Sequence, residues 1–226
     1  MTAKVEAKKE RKLQKKAAKK PKAASKKVVF KRAEKFVAEY RASSKNDVRL
    51  RRAAKAQQKF FAPEEPSVFV VIRILGSYGV TPKVRKIFQL LRLRSTNTAA
   101  FVKINKSTQA MLLQIAPYVT WGVPDRKTVS DLLYKRGYAR INAERVPITS
   151  NALIEQHLGS VGVICLEDMV HQILTAGESF GAVNSFLHPF KLNAPIGGFN
   201  AKKLSCAEES DAGFRDNINE LLRKMI

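Results

Sequence analysis

From Val68 to Ile74 side chains alternate with a period of two. Val68, Val70, Ile72 and Ile74 share one face, Phe69, Val71 and Arg73 the other, which predicts a β-strand. Gly76 and Gly79 punctuate a turn, and Thr81 followed by Pro82 marks a helix start. Thr can cap orphan amides there, and Pro takes the first helical position at no cost in hydrogen bonds. The period then changes to 3.6, with Val84, Ile87, Phe88 and Leu91 as the inward stripe of a helix running to about Leu93. A second strand is expected from Ala99 to Ile104, where Phe101 and Lys103 alternate against Ala100, Val102 and Ile104. Ser107 can cap a second helix that turns Met111, Leu112 and Ile115 inward, and Pro117 stops it before a short strand-like segment, Tyr118 to Trp121. Both strands place an aromatic and a cation on one face. Phe69 and Phe101 are therefore expected to be exposed, either to stack on bases or to pack under the arm or a neighbouring protein.

The second half of the chain reads as a packed extension. Asp125 can cap a helix carrying Val129, Leu132 and Leu133 that ends at Gly137, and Tyr138–Ile141 with Val146–Ile148 predicts a hairpin across Asn142–Arg145. Ser150 starts a helix ending near Gly159. Leu166 to Ala176 and then Phe180, Val183, Phe186 and Leu187 keep core spacing up to Pro189, and a last helix is expected from about Ala212 to Met225.

Upstream of Pro63 and Pro66 the apolar signal fades. Val28 to Gln58 consists of helix formers with one short stripe, Phe30, Ala33, Phe36, Val37 and Tyr40, under the roughly three to four heptads a coiled coil wants. The Lys- and Ala-rich residues before it lack the apolar surface to offset the entropy of ordering and are expected to order on a partner. The organisation is thus a basic arm over residues 1–65, a small α+β core over 66–124, and an extension over 125–226 packed on that core.

Charge narrows the function. The 226 residues include 42 Lys and Arg against 19 Asp and Glu, a net charge of +23. Residues 1–62 contribute 22 basic and five acidic side chains, and the run from Pro66 to Pro124 has eight cations and no acid. Repulsion left uncompensated within the chain calls for an external polyanion, and nucleic acid is the leading class. Lys83 and Lys86, in the opening turns of their helix, meet the positive end of its dipole. Each costs about 0.3 to 1 kcal/mol unless an anion sits there too, as a phosphate would.

Other chemistries find little support. No apolar stretch follows the basic start as in a secretory signal, and no run approaches the ~18 apolar residues of a spanning helix, so an intracellular, soluble protein is expected. Cys165 and Cys206 lack CxxC spacing and read as reduced thiols. His157, His171 and His188 have no metal-ligand spacing, and His171 beside Glu167 and Asp168 reads as a helix-surface ion pair. Gly76 and Gly79 lack the context of a nucleotide loop. No enzyme activity, cofactor, metal or small-molecule substrate is expected.

The run GSYGVTPKVRKIFQLLRLRSTNTAAFVKINKSTQAMLLQIAPYVTWGVP, Gly76 to Pro124, resembles the shared core of the large-subunit ribosomal protein thirty family. YKRGYARINAERVPITSNALIEQHLGSVGVICLEDMVHQI, then HPFKLNAPIGG, then DAGFRDNINELLRKM, are similar to the family's longer eukaryotic form, large-subunit protein seven. The resemblance spans about Val68 to the end and rests on separated motifs in the right order. It implies a ferredoxin-like three-stranded sheet with two helices, extended by helices and a hairpin, set in ribosomal RNA of the cytosolic large subunit beside neighbouring ribosomal proteins. It implies no catalysis. One departure is Ile196, where relatives commonly carry a cation before the late Gly-Gly, although Lys202 and Lys203 follow.

The cations expected to meet RNA are Lys8, Lys9, Arg11, Lys12, Lys15, Lys16, Lys19, Lys20, Lys26, Lys27, Arg49, Arg51, Arg52 and Lys55 in the arm. In the core they are Arg73, Lys83, Arg85, Lys86, Arg92, Arg94, Lys103 and Lys106, with Arg85 and Arg92 on one edge of a helix; Lys202 and Lys203 complete the set. The expected role is scaffolding of ribosomal RNA, with transit through the nucleus and nucleolus during assembly. Two alternatives stay open, a nucleolar assembly factor of the same family and a chromatin protein that binds DNA by charge.

Overall fold

A computed structural model describes residues 2–62, 65–76, 78–199 and 211–226, the side chains of residues 2–25 excepted. The chain forms two compact units, residues 1–63 and 64–226. The first is dominated by one helix, α1 (Thr2–Ala56). The helix begins well before Val28, consistent with the high helix propensity of the Ala- and Lys-rich arm. Phe30, expected in its apolar stripe, is 71% exposed; Val29, Ala33, Phe36, Val37 and Tyr40 are half-exposed, as are Arg32 and Ala54.

The second unit is α+β and ferredoxin-like at its centre, in the order β1 (Val68–Arg73), α2 (Pro82–Leu90), β2 (Thr98–Lys103), α3 (Lys106–Ile115), β3 (Val119–Gly122). It continues with α4 (Arg126–Arg136), the hairpin β4 (Tyr138–Ile141) and β5 (Glu144–Pro147), then α5 (Asn151–Leu158), α6 (Leu166–Leu174) and α7 (Phe180–Phe186). Edge strand β6 (Phe190–Lys191), edge strand β7 (Gly213–Phe214) and α8 (Ile218–Met225) complete the described residues. The sheet order is β6-β2-β1-β3-β7. β1 runs antiparallel to β2 and β3, with Val70 opposite both Phe101 and Gly122, and β7 joins β3 in parallel.

Every residue of β1 is buried, because both faces of the sheet are covered. Phe69, Val71, Val102 and Trp121 pack with Ile87, Phe88 and Leu91 from the α2 segment and Leu112 and Ile115 of α3. Val68, Val70, Ile72 and Phe101 pack with Val129, Leu133, Met169, Val183 and Leu222 from the extension. Phe101 is 2% exposed and meets Phe190 edge-on at 5.4 Å; Phe69 is 9% exposed and meets Phe214 at 6.0 Å. The expected exposure of these rings is corrected: both pack inside the second unit, and neither is available to stack on a base.

Several boundaries differ from the sequence pattern for local reasons. Thr81 caps α2 through its carbonyl, which accepts from the Arg85 amide at 3.0 Å, and not through its side chain. Asn105, not Ser107, precedes α3, and the Thr108 hydroxyl accepts from the Asn105 amide at 2.8 Å. The hairpin turn is only Asn142-Ala143, both left-handed at φ 48° and 68°, the geometry of a tight type I′ connection. The last helix starts at Ile218, because Gly213–Phe214 is drawn out as β7.

Gly122 is where that last segment closes on the sheet. A Cβ there would lie 2.2 Å from the Arg215 carbonyl oxygen and 2.8 Å from Ile218 Cβ. Gly122→Ala is therefore expected to push β7 and α8 off β3 and to destabilise the full chain by about 1 to 3 kcal/mol, the range for overpacking a filled core. Urea denaturation measures this, and an unchanged midpoint would mean that the α8 segment yields freely.

Candidate nucleic-acid interface

The cations of the second unit divide by what holds them. Lys83, Arg85 and Lys86 stand exposed on the opening turns of α2, where the first amides of the helix point outward and no acid occupies the first turn. Lys106 and Lys103 are also exposed, and Lys103 Nζ donates to the Ala176 carbonyl at 3.2 Å. In the first unit the side chains of Lys26, Lys27, Arg49, Arg51, Arg52 and Lys55 are exposed on α1, and Arg51 sits 5.6 Å from the centre of the Phe61 ring. Lys8, Lys9, Arg11, Lys12, Lys15, Lys16, Lys19 and Lys20 lie on α1 where side chains fall outside the described residues, as Lys202 and Lys203 do entirely.

Arg73 is different, and its expected place on an RNA-facing surface is corrected: it is 2% exposed. Its Nε donates to the Leu75 carbonyl at 2.9 Å, and Nη1 donates to the carbonyls of Leu93 and Arg94 at 2.9 and 3.0 Å. The guanidinium carbon lies 4.1 Å from the centre of the Phe88 ring. Burial holds its pKa below the usual arginine value. The Leu93 and Arg94 carbonyls lie in the turn after α2 and that of Leu75 just after β1, so its Nε and Nη1 donors are used in building the fold.

Arg92 is corrected too. It does not share a helix edge with Arg85, because α2 ends at Leu90 and Arg92 takes the left-handed conformation, φ 60°. Its Nη1 donates to the Leu187 carbonyl at 2.9 Å and its Nη2 to Asn184 Oδ1 at 2.8 Å, tying the turn to α7. Burial, and secondarily the charge of Arg140, lower its pKa.

Around this turn the fold assembles a group that sequence spacing did not indicate. Arg92, Arg94 and Ser95 from the α2–β2 turn with Thr98 at the start of β2, Arg140 and Ala143 from the hairpin, and His188 and Pro189 from the α7–β6 link with Lys191 of β6 line one hollow of about 520 Å³. Arg140, His188 and Lys191 sit in segments whose pattern reads as packing. The one available signal was a hairpin that places Arg140 directly across from Arg145.

Catalytic chemistry gains nothing from the geometry. Cys165, 1% exposed, ends its loop by accepting from the Asp168 amide at 3.4 Å, and burial above all pushes its thiol up to about 11, so it is a protonated thiol at neutral pH; Cys206 lies outside the described residues. Asp168 is buried and accepts from the Ile164 amide at 3.0 Å, which makes it a loop cap. Among the described residues no group of three or more His, Cys, Asp or Glu could hold a metal ion, and no helix is long and apolar enough to cross a membrane.

Comparison with known proteins points to one family. The ribosomal L30 N-terminal domain model matches residues 1–64, and the ribosomal protein L30p/L7e model matches residues 69–119. The chain is 52% identical over 198 residues to large ribosomal subunit protein uL30 of Caenorhabditis elegans, covering 87% of this chain and 81% of the relative. Identity to uL30 of Dictyostelium discoideum is 47% over 88% of this chain and 81% of that protein. With uL30B of Schizosaccharomyces pombe it is 45% over 88% and 80%. The match reaches into the basic arm as well as the folded core.

Arg73→Met keeps bulk but leaves three carbonyls short of a charged donor, and is expected to cost about 3 kcal/mol of stability. Arg73→Lys is expected to recover little, since an ammonium cannot reproduce the planar fork. Chemical denaturation of the full chain tests both, and a loss under about 0.5 kcal/mol, typical of a surface substitution, would return Arg73 to the surface.

Proposed function

The chain belongs to the large ribosomal subunit protein uL30 family, and from that premise we propose how it serves as a structural constituent of the cytosolic large ribosomal subunit. It is not an enzyme. Its part in translation is to hold ribosomal RNA in place. The alternatives of an assembly factor and a chromatin protein lose ground, because the named relatives are all large-subunit proteins and the match lies in the folded core as well as the arm.

The observation that carries the RNA-binding reading is the exposed set Lys83, Arg85 and Lys86 at the opening of α2, in a stretch without a single Asp or Glu from Pro66 to Pro124. Phosphates there would accept from side-chain cations and free helix amides together, and would release condensed counterions. Arg94, Lys103 and Lys106 extend the surface on the core, and the cations of α1 extend it along the arm. With Phe69 and Phe101 buried, recognition falls to charge and to the shape of folded RNA rather than to base stacking on the sheet. The protein neighbours are other large-subunit proteins, and assembly implies passage through the nucleus and nucleolus.

A tagged Lys83→Glu/Arg85→Glu/Lys86→Glu variant is expected to melt like the wild type, since all three side chains are exposed. It is expected to fall at least about tenfold in large-subunit fractions, because each lost phosphate contact weakens binding several-fold at ordinary salt. A folded variant that enters subunits at the wild-type level would remove this surface from the interface.

A further inference from the structure

The hollow beside the α2–β2 turn gathers Arg92, Arg94, Arg140, His188 and Lys191 from three separate segments, and no carboxylate is among the described residues that line it. Arg94, Arg140 and Lys191 are exposed there, and their side chains have no hydrogen-bonding or ionic partner among the described residues. Packing alone does not call for such a group. Like charges held together repel, and each would be better placed elsewhere on the surface unless an anion joins them.

The backbone is committed to this arrangement at some cost. Arg92 adopts φ 60° and Ala143 φ 68°, left-handed conformations that side-chain-bearing residues seldom adopt. Arg140 sits directly opposite Arg145 in the hairpin, an unfavourable cross-strand pair. Arg145 stacks its guanidinium 3.6 Å from the centre of the Tyr138 ring, while Arg140 lines the hollow. Arg92 spends two of its donors on Leu187 and Asn184 and so forms a fixed wall. At about 520 Å³ the space falls within the range of small-ligand pockets and exceeds what one phosphate fills.

We propose that this hollow is a phosphate-binding cleft that seats a turn of RNA backbone, one phosphate between Arg94, Arg140 and Lys191 with its ribose against Thr98 and Pro189. It rests on the reading of the chain as an RNA-binding constituent of the large subunit, and adds a second contact region drawn mainly from the extension. The ligand is the phosphodiester of structured RNA, and a free nucleotide or inorganic phosphate would offer the same headgroup without the chain.

The test is a structure of large subunits purified with this chain in place. Expected is a ribosomal RNA phosphate oxygen within about 3.2 Å of at least two of Arg94, Arg140 and Lys191. The chain seated in the subunit with the cleft holding only solvent, a protein segment, or a free nucleotide or phosphate would overturn the cleft and leave the proposed function standing. Absence of the chain from subunits would overturn both. In parallel, the full-chain Arg94→Gln/Arg140→Gln/Lys191→Gln variant is expected to fold as wild type and to wash off subunits at lower salt, with the salt slope of RNA binding reduced by about two to three. An unchanged slope in the folded variant would also overturn the cleft.

Discussion

Arg73 clamps the turn on which the basic surface is built. Its guanidinium donates to the carbonyls of Leu93 and Arg94, and its own carbonyl accepts from the Asn97 amide at 2.7 Å, so one residue of β1 grips both ends of the segment between α2 and β2. That segment is irregular, with left-handed residues at Arg92 and Asn97, and would not hold its shape by helix or strand hydrogen bonds alone. The grip extends outward, since the Asn97 carbonyl accepts from the Leu192 amide at 2.8 Å and Arg92 reaches the carbonyl of Leu187. A buried charge thereby positions the cations that stay outside.

Closing the sheet on both faces has a functional consequence. Many sheet proteins bind single-stranded RNA by presenting aromatics on an open face; here the equivalent rings are sealed between α2 and α3 on one side and the extension on the other. On the proposed function, what remains for RNA is an outer shell of Lys and Arg on the folded unit, together with the cations of a long helix. Such a shell would read phosphate positions and helix shape, which suits a scaffold that must fit one place in a large folded RNA.

Much of this was legible in the chain. The alternation through β1 and β2 and the stripe Ile87, Phe88, Leu91 located the first three strands and two helices, because burial of a periodic face is a local signal. The two-residue strands β6 and β7 were not legible, since two residues carry no period and their pairing is lent by β2 and β3. Arg73 reads as surface because an arginine at the end of a strand usually is; two of the three carbonyls that hold it come from about twenty residues away. Arg92 continues the helical pattern on paper, and no Gly or Asn stands there to announce the left-handed break. The basic cleft was hidden for the same reason, as its parts come from the turn, the hairpin and the α7–β6 link, and only the fold brings them together.

As proposed, this chain is a stoichiometric component of working ribosomes, held by its basic surface. Sedimentation of cell extract on a sucrose gradient after a high-salt wash tests it most directly, with the chain quantified in free, large-subunit, monosome and polysome fractions. One copy per large subunit is expected, retained through the wash and carried into polysomes. Confinement to nuclear precursor particles, or a chain left wholly in the free fraction, would contradict it.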